Sequence, residues 1–325
     1  MVVSVDVNAI LDIAEVQNTI TIQLNLKLTW LDTRLRLMNL KEDRNLNTLT
    51  PEFREKIWIP QVVFYNTQQK LESLNDHKSF AVIDRLGGFE QSAKSELFNA
   101  LYYKGGENPI TTSRVYDSEF LCEFSMAVFP FDTQRCKIIM IMSGNTGKFV
   151  DISAGDMNYL GPVDLTQYFV KETYMLQSDL PVLGDNSTHS VEVHIVFGRR
   201  VLATILTTYL PTTLLCIVCF STNYFKAFFF EAIVTVNLTS LLVLTTLFIS
   251  VSESLPKTSY IKMMDAWLLF NLFVPFSEVL LHTFIDSLRE EDKREINHHG
   301  SSINVDANSQ GNIKVGKFNH QLIFF

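Results

Sequence analysis

From Ile20 to Leu28 the chain reads ITIQLNLKL, apolar and polar residues alternating with a period of two. That is the pattern of a strand with one buried face. Similar short runs recur up to about residue 198, among them Val191-Glu192-Val193-His194-Ile195, separated by turn clusters at Gly87-Gly88, Gly105-Gly106 and Ser143-Gly144-Asn145. Many short strands with such punctuation predict an antiparallel β-sandwich over residues 1–198. The pattern then changes abruptly. Val201–Phe220 (VLATILTTYLPTTLLCIVCF) carries no charge and is long enough to cross a bilayer. Ala232–Val251 is a second uncharged run, with Glu231 and Glu253 just outside its ends. The third, Ile261–Ile285, carries Lys262, Asp265, Glu278 and His282. Three such runs in succession fit membrane helices at about 201–220, 232–251 and 261–285, within a membrane region of residues 199–286, better than they fit the core of a soluble protein. Residues 287–325 are charged and then rich in Gly, Asn and Ser, which predicts a flexible segment. With the N-terminal domain outside the cell, three spans place that segment in the cytoplasm.

The second run is chemically the most informative. Glu231, Thr235, Thr239, Leu242, Thr246, Ile249 and Glu253 follow one another at steps of three or four, so they share one face of a helix. That face carries a carboxylate at each end and hydroxyls between. At helical rise the two glutamates stand about 33 Å apart, close to a bilayer thickness. Several copies around an axis would line a pore: hydroxyl rings facing water, Leu242 and Ile249 as constrictions, carboxylate rings attracting cations. A hydroxyl stripe also serves helix packing in lipid, but packing does not call for carboxylates at both ends in register with it.

Composition narrows the classes. The chain has 325 residues, 47% of them hydrophobic, enough for one sizeable domain and something more apolar. A net charge of −8 argues against nucleic acid as a partner. No nucleophile–base set, phosphate loop or metal-ligand spacing occurs, so neither an enzyme nor a cofactor is expected. His77, His189, His194, His282 and the pair His298-His299 are scattered, and only His282, inside an apolar run, is a functional candidate by position. Of four cysteines, Cys216 and Cys219 lie in the first apolar run, and Cys122 and Cys136 flank CEFSMAVFPFDTQRC. A bridge between the latter would stabilise by roughly 3 kcal/mol on a chain-entropy model and imply an oxidising compartment. Two buried thiols fit the spacing as well. Asn186-Ser187-Thr188 is a glycosylation sequon. Residues 1–16 are strand-like with Asp6, Asp12 and Glu15, so an exported form is expected to have lost its leader.

With these features assembled, the sequence resembles a Cys-loop receptor, a subunit of the pentameric ligand-gated ion channels. The resemblance rests on the cysteine pair enclosing Phe129-Pro130-Phe131-Asp132, and on Trp30-x-Asp32-x-Arg34-Leu35 and Trp58-x-Pro60. Arg199-Arg200 before the first span, Pro211 within it, and Ser254-Leu255-Pro256-Lys257-Thr258-Ser259-Tyr260 after the second add to it. It implies an extracellular sandwich, a helical bundle in the plasma membrane and five identical or related subunits around a central pore. Agonist sites would lie between neighbours, and a fourth membrane helix, missing from this sequence, would follow. It makes the Cys122–Cys136 disulfide expected. It also gives Phe129, Pro130, Phe131 and Asp132 a coupling role, resting near Ser254–Tyr260 (with Pro256 and Lys257) and the turn at Glu15–Asn18. Asp132 and Arg199 become candidate charge partners.

The resemblance divides on selectivity and weakens at the agonist site. Phe230-Glu231-Ala232-Ile233 resembles the inner mouth of bacterial proton-gated cation channels, whereas the linker Ser254–Tyr260 resembles that of glycine-receptor relatives, which are anion channels. Glu231 is nearer the selectivity region, so monovalent cations are the expected permeant ions. An anion channel, or a subunit active only in a mixed pentamer, is the alternative. Amine-gated members hold the agonist cation in an aromatic box. Here Tyr65 matches one box position, but Leu37 and Ser143 stand where aromatics are usual. Arg114 resembles a carboxylate-binding arginine of amino-acid-gated members, with a structural ion pair as its other reading. A small-molecule agonist is expected, but not an acetylcholine-like or serotonin-like one at a homomeric interface.

Overall fold

The computed structural model describes residues 1–67, 80–91, 101–142, 149–181, 187–225 and 229–306. Ser143, Asn186, His77 and the terminal Leu322–Phe325 lie outside the described residues. The chain divides into two compact units. One comprises Met1–Thr207 and Ile249–Ala266; the other comprises Thr208–Phe248 and the described residues from Trp267 onward.

The first unit is built on three sheets. A five-stranded sheet has the order β10 (Ser153–Tyr159), β1 (Val2–Ala14), β2 (Thr19–Trp30), β8 (Ile110–Leu121), β5 (Phe80–Ile83). A four-stranded sheet has the order β11 (Tyr168–Pro181), β12 (Ser187–Arg199), β9 (Thr133–Met142), β4 (Val62–Phe64). The smallest is β3 (Arg36–Met38), β7 (Leu101–Lys104), β6 (Phe89–Gln91). The alternation in β2 is realised residue by residue: Ile20, Ile22, Leu24, Leu26, Leu28 and Trp30 are buried and the residues between them are not. Val3, Val5, Ile22 and Leu24 from the larger sheet share one core with Ile138, Met140, Val193, Ile195 and Phe197 from the other. Each such side chain contributes about 1.5–3 kcal/mol by leaving water. Phe64 bridges the layers, edge-on to Tyr116 at 5.4 Å and Phe120 at 5.5 Å.

One pairing departs from the expected antiparallel sandwich. β10 runs parallel to β1, with Val2 opposite Ser153 and Val7 opposite Tyr159. A parallel neighbour arrives by a long connection rather than a hairpin, and period-two patterning carries no information about strand direction.

The helices follow the apolar runs. The first is helical from Leu202 to Ser221, with a π-turn over Ile205–Tyr209 just before Pro211. Proline has no N–H to return to the preceding turn, and a locally widened helix accommodates it. The hydroxyls of Thr212 and Thr213 donate to the carbonyls of Thr208 (2.8 Å) and Tyr209 (2.6 Å). The second helix is Phe230–Ser254 and the third Met263–Asp306. By length and composition Leu202–Tyr224, Phe230–Ser254 and Met263–Arg294 can each cross a membrane. The flexible segment expected from residue 287 is corrected over 287–306, where the third helix continues. Arg289 pairs with Asp286, and Arg294 lies 3.3 Å from Glu290, so the charges that resemble a tail in composition sit at helical spacing.

First and third helices are joined by a ladder of polar contacts. Trp267 Nε1 donates to Thr212 Oγ1 (3.1 Å), Cys216 Sγ to Asn271 Oδ1 (3.0 Å) and Asn223 Nδ2 to Glu278 Oε1 (3.0 Å). All three pairs are 55 residues apart in sequence, the signature of two helices running parallel in fixed register.

Asp32 anchors one end of the sandwich. Its carboxylate accepts from Arg34 Nε (2.9 Å) and Nη2 (2.7 Å), and from the Arg34 backbone N–H (3.0 Å). Gly105 packs on the Asp32 carbonyl so closely that a Cβ would stand 2.3 Å from it. The Arg34 hydrogen bonds hold the Asp32 carboxyl below its usual range against an opposing effect of burial. A depressed carboxyl stabilises the fold above its unfolded pKa, and that contribution disappears as pH falls through the folded value. Asp32→Asn should therefore flatten the acid limb of a thermal-stability profile below about pH 4. An unchanged acid limb would count against the role.

Candidate functional site

Four strand ends converge on Arg199, the last residue of β12. Its Nε and Nη2 fork onto Asp132 Oδ1 (2.7 Å) and Oδ2 (3.0 Å). Nη1 reaches Glu15 Oε1 at 2.8 Å, and Nη2 also meets the Tyr168 hydroxyl at 2.5 Å. The guanidinium lies over two rings, 4.6 Å from the centroid of Phe129 and 4.7 Å from that of Tyr168. The Tyr168 hydroxyl donates to Glu15, and Gln134 Nε2 donates to Asp132. The side chains of Arg199 and Asp132 are 7% and 1% exposed, so this is a buried charge cluster rather than a surface ion pair. Burial by itself would lower the Arg199 pKa; the hydrogen bonds to Asp132 and Glu15 override it and raise it, fixing the cation. Burial, then the bond to Glu15, pushes the Tyr168 phenol up, so it stays a neutral donor. The expected Asp132–Arg199 partnership is present. Glu15 as a direct partner and Tyr168 as the closing donor were not legible, because Tyr168 lies 31 residues and Glu15 184 residues from Arg199 with no shared motif.

The disulfide loop is closed by Cys122–Cys136, Cα–Cα 5.1 Å. Both sulfurs lie in the sandwich core. Within the loop Phe129 and Pro130 are buried, while Val128 and Phe131 are 53% and 57% exposed, so only part of the apolar tip is left for another surface. The backbone N–H of Met126 donates to the Tyr260 hydroxyl (2.9 Å), and the carbonyl of Ala127 accepts from Met263 N–H (2.9 Å). The loop is thus hydrogen-bonded to the segment joining the second and third apolar helices. Tyr260 closes the linker motif; of the residues before it, Pro256 is buried and Lys257 exposed. On the other side the Cys122 N–H donates to the carbonyl of Asn18, in the β1–β2 turn.

The second apolar helix has two unlike faces. Ile233, Asn237, Ser240 and Leu244 are buried in the second unit, where Asn237 Nδ2 donates to Thr222 Oγ1 (3.2 Å). Glu231, Thr235, Thr239, Leu242, Thr246, Ile249 and Glu253 are all exposed. The threonine hydroxyls of this stripe donate to backbone carbonyls of the preceding turn, as Thr235 does to Glu231 (2.7 Å), which leaves hydroxyl oxygens as acceptors on the exposed face. His282, the histidine singled out by position, sits 3.7 Å from Glu278 and is largely covered.

The agonist candidates are not gathered in one place. Leu37 lies on β3 opposite Tyr103, Arg114 on β8 with its guanidinium 4.8 Å over the Tyr116 ring, and Tyr65, 62% exposed, just after β4. These are three different sheets of one chain.

A disulfide-looped β-sandwich leading into three membrane-length helices is the architecture of a ligand-gated channel subunit. Residues 1–201 match the neurotransmitter-gated ion-channel ligand-binding domain and residues 208–306 the neurotransmitter-gated ion-channel transmembrane region, and the chain belongs to this family of Cys-loop receptors. Its members are pentameric plasma-membrane proteins with the ligand-binding domain outside the cell. Among curated relatives, the mouse gamma-aminobutyric acid receptor subunit theta is 28% identical over 88% of this chain and 42% of its own length. The rat glycine receptor subunit beta is 23% identical over 90% and 56%. The serotonin-gated chloride channel mod-1 of Caenorhabditis elegans is 23% identical over 84% and 54%. The chain spans about half the length of the curated relatives it matches. The expectation of monovalent cations, which rested on Glu231, finds no support in these relatives, whose names include a chloride channel.

Replacing Arg199 by Met would leave two buried carboxylates facing each other. The unfolding free energy of the purified chain should fall by about 3–5 kcal/mol, read from the denaturant midpoint. Arg199→Lys, which keeps the charge but loses the fork, should fall between. Equal midpoints for all three proteins would show that the cluster contributes nothing.

Proposed function

We propose that this chain is a subunit of an anion-permeable, ligand-gated pentamer, working beside related subunits rather than alone. The observation that carries the channel reading is the exposed stripe Glu231–Glu253 on a helix whose opposite face is buried. In this reading Thr235, Thr239 and Thr246 line the pore, Leu242 and Ile249 constrict it, and the glutamates mark its mouths. Phe129, Pro130, Phe131 and Asp132, with Arg199, Pro256 and Lys257, transmit motion of the sandwich to the helices. Anion permeation is supported by the chloride channel among the relatives and by the linker Ser254–Tyr260.

Glu231 favours the mixed assembly. Five carboxylates in one ring would repel anions strongly, while a single one among other side chains is a local perturbation. The agonist positions point the same way. Without an aromatic box, the chain contributes one side of an interface, through Tyr65, Leu37 and Arg114 (with Ser143 in the same reading), to an agonist held by a neighbour. The relatives name gamma-aminobutyric acid, glycine and serotonin as the chemistry to try first. A glycan on Asn186 belongs to this reading. A cation-selective homomer is the second reading, carried by Glu231 alone.

The test is expression of the chain alone and with glycine-receptor or gamma-aminobutyric-acid-receptor subunits, recording currents as external chloride is replaced by an impermeant anion. Agonist-evoked current is expected only in co-expression, with a reversal potential that tracks chloride, and Glu231→Ala should raise its conductance. A reversal that follows sodium would establish the second reading and end the first.

A further inference from the structure

The outward face of the four-stranded sheet carries a cavity of about 760 Å³ that none of Leu37, Tyr65 or Arg114 lines. Its floor is β9, where Arg135 and Lys137 alternate with the buried Gln134, Cys136 and Ile138 and so point away from the core. Among the described residues neither cation has an ion-pair or side-chain hydrogen-bond partner. One wall is an aromatic pair: Tyr174 and His194 are cross-strand neighbours on β11 and β12, stacked at 4.9 Å with 8° between planes. His194 in turn stands directly opposite Lys137 on β9, so cation and stacked rings form one row across three strands. The ring is fixed by Glu192 Oε2, 3.0 Å from His194 Nε2.

The opposite wall is rigid. Asn66 spends its amide on backbone groups, Nδ2 donating to the carbonyls of Leu121 (3.1 Å) and Lys137 (2.7 Å) and Oδ1 accepting from Ile139 N–H (3.0 Å). This pins the end of β8 to β9 and holds the cavity open beside the disulfide. Glu123, exposed and also without a partner among the described residues, is the acidic group at the rim.

We propose that this cavity binds a small aromatic monocarboxylate. Two unpaired cations on the floor recognise the carboxylate, the His194–Tyr174 stack extends onto a planar ring, and Glu123 at the rim disfavours a second negative charge. The site is independent of the channel reading, since binding can be measured without current.

The experiment is a benzoate titration of the full chain in lipid nanodiscs, followed by saturation-transfer difference NMR. Benzoate should give a saturable signal. Combined Arg135→Ala and Lys137→Ala should weaken it about tenfold, and cyclohexanecarboxylate, which keeps the charge but cannot stack, should bind about threefold more weakly. Glu123→Gln should tighten binding about twofold, a direction that misfolding cannot produce. A signal that does not saturate, that is equal in the alanine variant, or that benzyl alcohol reproduces would overturn the proposal.

Discussion

A guanidinium buried against two carboxylates is the constraint on which the first unit depends. Arg199 has five donors in a rigid plane, and the fold directs them to Asp132, Glu15 and Tyr168, with the rings of Phe129 and Tyr168 within cation–π range. The four residues come from different places: the β1–β2 turn, the disulfide loop, the start of β11 and the end of β12. None of these segments could shift far without stranding a charge in a low-dielectric interior, where an uncompensated ion is strongly destabilising. The cluster is anionic by one charge, and Tyr168 offsets this by donating to Glu15 rather than ionising. Arg199 stands three residues before the first apolar helix, so the point where the strands are tied is also where the membrane region begins.

The sequence carries some of this plainly and some not at all. Ile20–Leu28 reads as a half-buried strand because burial in a sheet imposes a period of two, and β2 shows that period from Ile20 to Trp30. The stripe from Glu231 to Glu253 is legible for the corresponding reason in a helix, and its seven residues do share the exposed face. What periodicity cannot carry is direction and long-range company. The parallel β10–β1 pair has the same local pattern as an antiparallel one. Tyr168 looks like any strand-end tyrosine until the fold delivers it to Glu15. Residues 287–306 are charged enough to resemble a tail, yet a charged helix has that composition too.

Ion selectivity fails to be legible for a different reason. The polar stripe can be read from one helix because its period is a property of that helix alone. Mouth charge cannot, because in the proposed pentamer a ring sums contributions from every subunit, and one carboxylate weighs differently among four like it than among four unlike it. The same holds for the agonist positions: Leu37, Arg114 and Tyr65 lie on separate sheets of one chain, so one chain by itself does not gather them into a site.

The polar ladder between the first and third helices limits how the second unit can move. Its three contacts share one offset, so a slip of a single turn, about 5.4 Å, would break all of them together. Sliding is therefore all-or-none and strongly disfavoured. Rotation of the two helices as a pair preserves every rung. The second helix meets this frame through contacts of its own, Asn237 Nδ2 to Thr222 Oγ1 at 3.2 Å and Ser240 with Cys219, so its tilt can change at those two points while the ladder keeps its register.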